Sequence, residues 1–455
     1  MKKIIFKLFT FLIVTFGIKA YVVCQVHQEW VAYYTGAANK FSAAVATQID
    51  SSGNIYVTGA SIGLDGDEDI VLLKYSPTGT ILWERRYDGE GNGFDAPTFM
   101  KIGKDGNIYV AGTSEGTPAT YNDMIILKYT PTGDLVWGFT YDGTAHWNDI
   151  ARSLGISEDG RVYVVGSAWN TDGVQISEDF IEIILTKDGT LDSVRLYGNT
   201  LLREFGVGIE VVQKYSTIER VVVGAQMDSN GINAYKIITA KGNWVNKYSS
   251  SYSTSEIPIG LAVDSQQNIY VVASSHRKSL KKWDVLSLKY NPPAGLLWER
   301  RYSRGDNVDT RARAMALDSS GNLYVLASLH AELATSNLSD YLLLKYDTNG
   351  VLKWAKTYDN GKEDDPFAIA LDKDGNVYVT GRSQTQERVW QCATLKFSPS
   401  GNRIWVARYG SPVNNAEDNP RSISVSPSGM VIVTGYSNYV EGITSFFTLA
   451  YSQKN

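Results

Sequence analysis

The chain has 455 residues, of which 12% are aromatic and 20% charged, and a net charge of −5. An acidic balance with no basic stripe argues against a nucleic-acid partner. Two cysteines, Cys24 and Cys392, exclude a disulfide framework.

Residues 1–24 read as a secretory signal peptide, with Lys2, Lys3 and Lys7 ahead of an apolar run from Leu8 to Gly17. That run is too short for a membrane span, so no transmembrane segment is expected after cleavage. The chain is therefore expected in the periplasm, at the outer surface or outside the cell. Cleavage could follow Ala20 or Cys24. A lipid anchor on Cys24 would call for small residues where Tyr21, Val22 and Val23 stand.

The rest, 25–455, is governed by one repeat. The pattern Asn54-Ile55-Tyr56-Val57-Thr58-Gly59 returns eight times, with markers at Tyr56, Tyr109, Tyr163, Val221, Tyr270, Tyr324, Tyr378 and Ile432. A period of about 54 residues filled with short strands and turn residues is the signature of propeller blades. Within the second repeat, one strand ends near Gly103 and Asp105-Gly106 makes a tight turn. Ile108–Gly112, Met124–Tyr129 and Leu135–Tyr141 follow as strands, with a polar loop at Thr113–Asn122 and a turn at Pro131–Gly133. The expected fold is all-β, a single eight-bladed β-propeller of four-stranded antiparallel blades.

The fourth strand carries a Trp four residues before a closing Tyr, as in Trp83/Tyr87 and Trp405/Tyr409, while Ser193 replaces the Trp in the third repeat. An aromatic recurring at one place in each sheet fills the gap between blades. The last repeat stops after three strands, and Trp30/Tyr34 near the start matches the missing fourth. The N-terminal strand should therefore complete blade eight and close the ring. Twelve residues before the markers stand Ala44, Pro97, Ala151, Pro258, Ala312, Pro366 and Pro420. Proline without an N–H suits an inner edge strand.

The segments Asp50–Gly59, Asp318–Ala327 and Lys74–Trp83 resemble the bacterial SBBP β-propeller repeat family. That resemblance covers nearly the whole mature chain and implies an exported or surface protein, mostly of unassigned activity. The family name implies seven blades, whereas eight repeats are counted here. The Thr-Gly-x-x-x-Trp turn is also similar to repeats of quinone-cofactor dehydrogenases, which are eight-bladed.

Two turn sets, Asp-Gly-Asn and Pro-Thr-Gly, are nearly alike in every repeat, and their face reads as structural. The other loops share the opposite face and vary, as binding loops on a rigid scaffold do. Four of the eleven Trp lie outside the marker, at Trp147, Trp169, Trp283 and Trp390, all on that face. His146, His276 and His330 join them, and His276 and His330 hold equivalent places in adjacent blades. Loop Trp can stack on sugars or anchor a protein. Two collars of carboxylates recur: Asp95, Asp149, Glu256, Asp364 and Asp418 with Asp309 one place off, and Asp69, Asp123, Asp179, Asp284 and Asp340. Such repetition favours a structural job, accepting loop N–H groups, over a cation or acid–base site. Asp65, Asp67 and Asp69 form the densest acidic loop and are the calcium candidates. Cys392 stands in an apolar strand and reads as a buried hydrophobe.

The expectation is a monomeric, non-catalytic binding or scaffold module for a protein or glycan ligand. No organic cofactor clamp can be assigned. The competing readings are a quinone-dependent dehydrogenase and, further off, a hydrolase or lyase using His276 or His330.

Overall fold

The structure, a computed structural model, describes residues 25–116, 121–197, 202–214, 217–227, 235–333, 336–413, 416–440 and 443–454. The expected leader 1–24, with Cys24, lies outside the described residues. Among the described residues no helix is long and apolar enough to cross a membrane.

Eight four-stranded antiparallel sheets form the molecule. Blade one is made of Ser42–Ile49, Ile55–Ile62, Glu68–Tyr75 and Ile81–Tyr87. Blades two to seven repeat this order over 95–141, 150–197, 204–248, 253–302, 308–358 and 364–409. The second and third strands are almost wholly buried, because neighbouring blades cover both of their faces. The fourth strand, at the rim, is half-exposed. Pairing in the second blade extends to Glu115 and resumes at Asn122, so its loop is shorter than the sequence suggests. First strands of successive blades pack on one another around the axis. Blade eight meets blade one through Thr47, whose N–H reaches Ser422 Oγ at 3.2 Å and whose carbonyl accepts from Ser424 Oγ at 2.8 Å.

Blade eight closes as expected. Gln25–Tyr34 pairs antiparallel with Ile443–Lys454, setting Trp30 opposite Ala450 and Tyr34 opposite Phe446.

The marker Trp residues act across blades. Trp30 Nε1 donates to Pro77 O at 3.0 Å, Trp83 to Pro131 O at 3.2 Å, Trp298 to Thr348 O at 3.1 Å and Trp354 to Pro399 O at 3.1 Å. Each ring lies on the third turn of the next blade. Gly79 there has φ 85°. A Cβ at Gly79 would meet the Trp30 ring at 2.5 Å, so glycine serves both the turn and the ring.

Ser193 breaks this chain of rings. The receiving glycine in blade four, Gly242, has nothing within 4 Å of where its Cβ would be. A cavity of about 400 Å³ opens there, lined by Arg195, Gly242, Asn243, Trp244 and Pro293. Arg195 follows Ser193 by two, as Arg85 follows Trp83, and Arg85 lies over the Trp83 ring at 5.4 Å. The cavity is the slot a third Trp would fill. Ser193→Trp is therefore expected to raise stability by about 1–2 kcal/mol, as cavity filling commonly does. A thermal melt checks this, and a lowered midpoint would mean the cavity has another shape.

Every inner strand carries a β-bulge at the same place, between Ala44 and Ala46 in blade one and between Pro420 and Ser422 in blade eight. The extra residues are Val45, Thr98, Arg152, Val207, Ile259, Arg313, Phe367 and Arg421. Blade four obeys the rule although its sequence offset hides it. Its first two strands run 11 residues each, and Gly206, opposite Gly224, takes the place of the Ala or Pro.

Candidate functional site

The two faces of the ring differ as the loops predict. On the tight-turn face, Asp50 accepts N–H bonds from Ser52 and Asn54, both at 2.9 Å, and the Tyr56 hydroxyl at 3.3 Å. Asp264, Asp318 and Asp372 repeat this lock in their blades. The opposite face carries the unusual residues.

Trp147, 44% exposed, meets Trp169 with ring centroids 5.1 Å apart. The Arg203 guanidinium lies 5.5 Å from the Trp169 ring and pairs with Glu178 at 2.8 Å. His146, at φ 55°, places Nδ1 2.5 Å from Asp142. A second group sets the His276 ring 4.9 Å from Trp283, with Arg311 5.2 Å from the same indole. His276 Nδ1 lies 2.7 Å from Thr254 Oγ1. A third group is packed more deeply. Trp390 is only 9% exposed and sits 4.1 Å from the Arg382 guanidinium, which pairs with Asp365 at 2.9 Å. His330 Nε2 is 3.9 Å from Asp365, and burial pushes its pKa below the usual histidine value.

Trp169, His276 and His330 all stand six residues after their markers, so one position of the second strand supplies three of the seven predicted surface residues. His276 and His330 face different partners and share no ligand. Arg203, Arg311 and Arg382 were not legible in the sequence. A guanidinium over a ring is attractive, but Arg203 and Arg311 come from the start of the blade after their Trp, and Arg382 meets Trp390 only through the pairing of two strands.

The first carboxylate collar does structural work. Asp95 accepts Gly89 N–H at 2.6 Å, Asp149 accepts Gly143 N–H and, at 2.7 Å, Trp169 N–H, and Asp364 and Asp418 accept Asn360 and Ser411 N–H at 2.8 Å. Burial pushes Asp95, Asp364 and Asp418 up to about 6 and Asp149 up to about 7. In the second collar, Asp69 pairs with Arg86 at 2.5 Å and Asp284 with Arg277 at 3.1 Å, while Asp179 accepts from Asn170 at 2.9 Å. The acidic loop regroups: Asp65 and Asp69 gather with Asp88, while Asp67 stands outside and its carbonyl takes Gly63 N–H at 2.7 Å. Cys392 is fully buried and its thiol is pushed up to about 12 by burial, so it packs as a hydrophobe.

Residues 359–385 match the SBBP beta-propeller repeat family. "Regulatory protein FlaEY" of Caulobacter vibrioides is 26% identical over 183 residues, covering 36% of this chain and 19% of that protein, so the match spans about a fifth of the relative's length. Among solved structures, the WD40 domain of SCAP from fission yeast aligns over 94% of this chain and 98% of its own, with 8% identity and a TM-score of 0.47. A polysaccharide lyase, the PL25 ulvan lyase, aligns over 92% and 95% with 13% identity and a TM-score of 0.47. The propeller domain of the Trilobed protease from Pyrococcus furiosus aligns over 78% and 93% with 12% identity and a TM-score of 0.44. Eight four-stranded blades make this chain a β-propeller, and residues 359–385 carry the SBBP repeat within it.

Proposed function

We propose that this protein is an exported, non-catalytic binding or scaffold module whose variable loop face recognises a protein or glycan partner. The observation that carries the reading is the arrangement of that face. Trp147, Trp169 and Trp283 present indoles held by one another, by His276 and by Arg203 and Arg311, rather than sunk into the blades. A rigid aromatic plane beside a guanidinium suits a sugar ring or a partner's anchor residue. Trp390 is buried and belongs to the packing of blade seven. Export is supported by the sequence of 1–24, a basic start followed by an apolar run.

The test is capture from envelope and medium with purified protein, beside a glycan array. The Trp147→Ala/Trp169→Ala/Trp283→Ala variant is expected to lose about 30-fold or more in affinity with an unchanged melting curve. Undiminished capture by that variant would refute the assignment of this face.

A further inference from the structure

The residue before the closing Tyr differs between blades that carry buried acids. It is Arg86 in blade one, Arg301 in blade five and Arg408 in blade seven. These arginines reach inward. Arg86 pairs with Asp69, Arg301 approaches Glu256 at 4.0 Å, and Arg408 donates to Ser383 Oγ at 2.8 Å. In blades two and six the same position is Thr140 and Thr357. The acids there remain. Carboxylate oxygens of Asp123, Asp142 and Asp149 lie within 4.8 Å of one another, and so do those of Asp340, Asp359 and Asp364.

We propose that the junctions between blades two and three and between blades six and seven each bind a divalent, oxygen-seeking cation of the calcium type, in the place where other blades put a guanidinium. Asp123 makes the case at the first junction, and Asp364, fully buried with its Oδ1 lacking a hydrogen-bond partner, makes it at the second. Asp123 is 7% exposed and its Oδ1 has no hydrogen-bond partner. No hydrogen bond or ion pair reaches its carboxylate among the described residues, although it is aimed at two further acids. Asp142 gives one oxygen to His146, and its buried Oδ1 is likewise without a hydrogen bond. A buried carboxylate left without donor or cation is costly, whereas a cation shared by three removes that cost. Calcium sits about 2.3–2.6 Å from each oxygen, so oxygens sharing one ion stand no more than about 5 Å apart, and the carboxylate oxygens of each group here lie within 4.8 Å of one another. A cavity of about 350 Å³ lined by Tyr87, Ser114, Glu115, Asp123 and Thr140 gives solvent a route to the first site and leaves room for water ligands. The Asp65, Asp69 and Asp88 group in blade one is different, since Arg86 already neutralises it.

Calcium titration calorimetry on EDTA-treated protein, with terbium luminescence excited through tryptophan, tests this. Wild type is expected to bind two ions and to melt higher with calcium present. Asp123→Asn should remove one ion together with the luminescence sensitised by the neighbouring Trp169, and Asp340→Asn should remove the other. Thr140→Arg should also abolish the first site, because it installs the guanidinium of blade one, and should do so without lowering the calcium-free melting point. Wild type that binds no ion at millimolar calcium overturns the proposal. So does an unchanged stoichiometry in the double Asn variant, or full calcium binding by a folded Thr140→Arg protein.

Discussion

A chain lacking residues 26–36 is expected to melt about 10 °C or more below the full-length protein. Those residues form the outer strand of blade eight, and their ladder runs along Ile443–Lys454. Tyr34 is buried against Phe446, with centroids 5.3 Å apart, and its hydroxyl donates to Glu84 in blade one at 2.5 Å. Trp30 covers the Gly79 turn. Removing the strand strips two apolar contacts and a hydrogen bond at once and leaves an unpaired edge open to self-association. Calorimetry and size-exclusion chromatography check both consequences. An unaltered midpoint would mean that the inner contact of Thr47 with Ser422 and Ser424 closes the ring unaided.

Arg277→Met is expected to cost about 3–5 kcal/mol, the usual loss when one partner of a buried ion pair goes. Arg277 is 3% exposed and Asp284 1%. The guanidinium lies 3.1 Å from Asp284 and also donates to Ser303 Oγ at 3.1 Å and Gly305 O at 3.0 Å, tying blade five to the loop before blade six. Methionine keeps the apolar stem but leaves Asp284 without its cation. Arg277→Met/Asp284→Leu should therefore recover much of the loss, because both charges then vanish together. Urea unfolding of the two variants decides the matter. A single-variant cost under about 1 kcal/mol would show that the loop, not the charge pair, holds this junction.

What could be read from the sequence is what repeats. The glycine and Trp markers fixed the blade count, the empty Trp place at Ser193 and the closing role of Trp30, because each is a local pattern copied at a constant interval. The bulges left no such trace. A bulge adds a residue without a required side chain, so Arg152 and Val207 share one geometry and no chemistry. Pairings across blades were equally hidden. Nothing in the neighbourhood of Trp147 announces Trp169, and a separation of 17 positions between Asp69 and Arg86 says nothing of their contact. The cavity at Gly242 needed two blades to be seen together, since Ser193 is only an absence until the turn it should cover is placed beside it.

The eight bulges have a bearing on how such a ring can change over generations. Each bulged residue is left out of the ladder register of its strand. It is valine, threonine, isoleucine, phenylalanine or arginine, while the residue before it is always Ala, Pro or Gly. A circle of eight such places around a common axis works like a combination lock in which some neighbouring tumblers touch, as Arg421 does Phe367 at 4.8 Å. Selection can retune what the centre of the ring greets, one blade at a time, without touching what keeps the blades together.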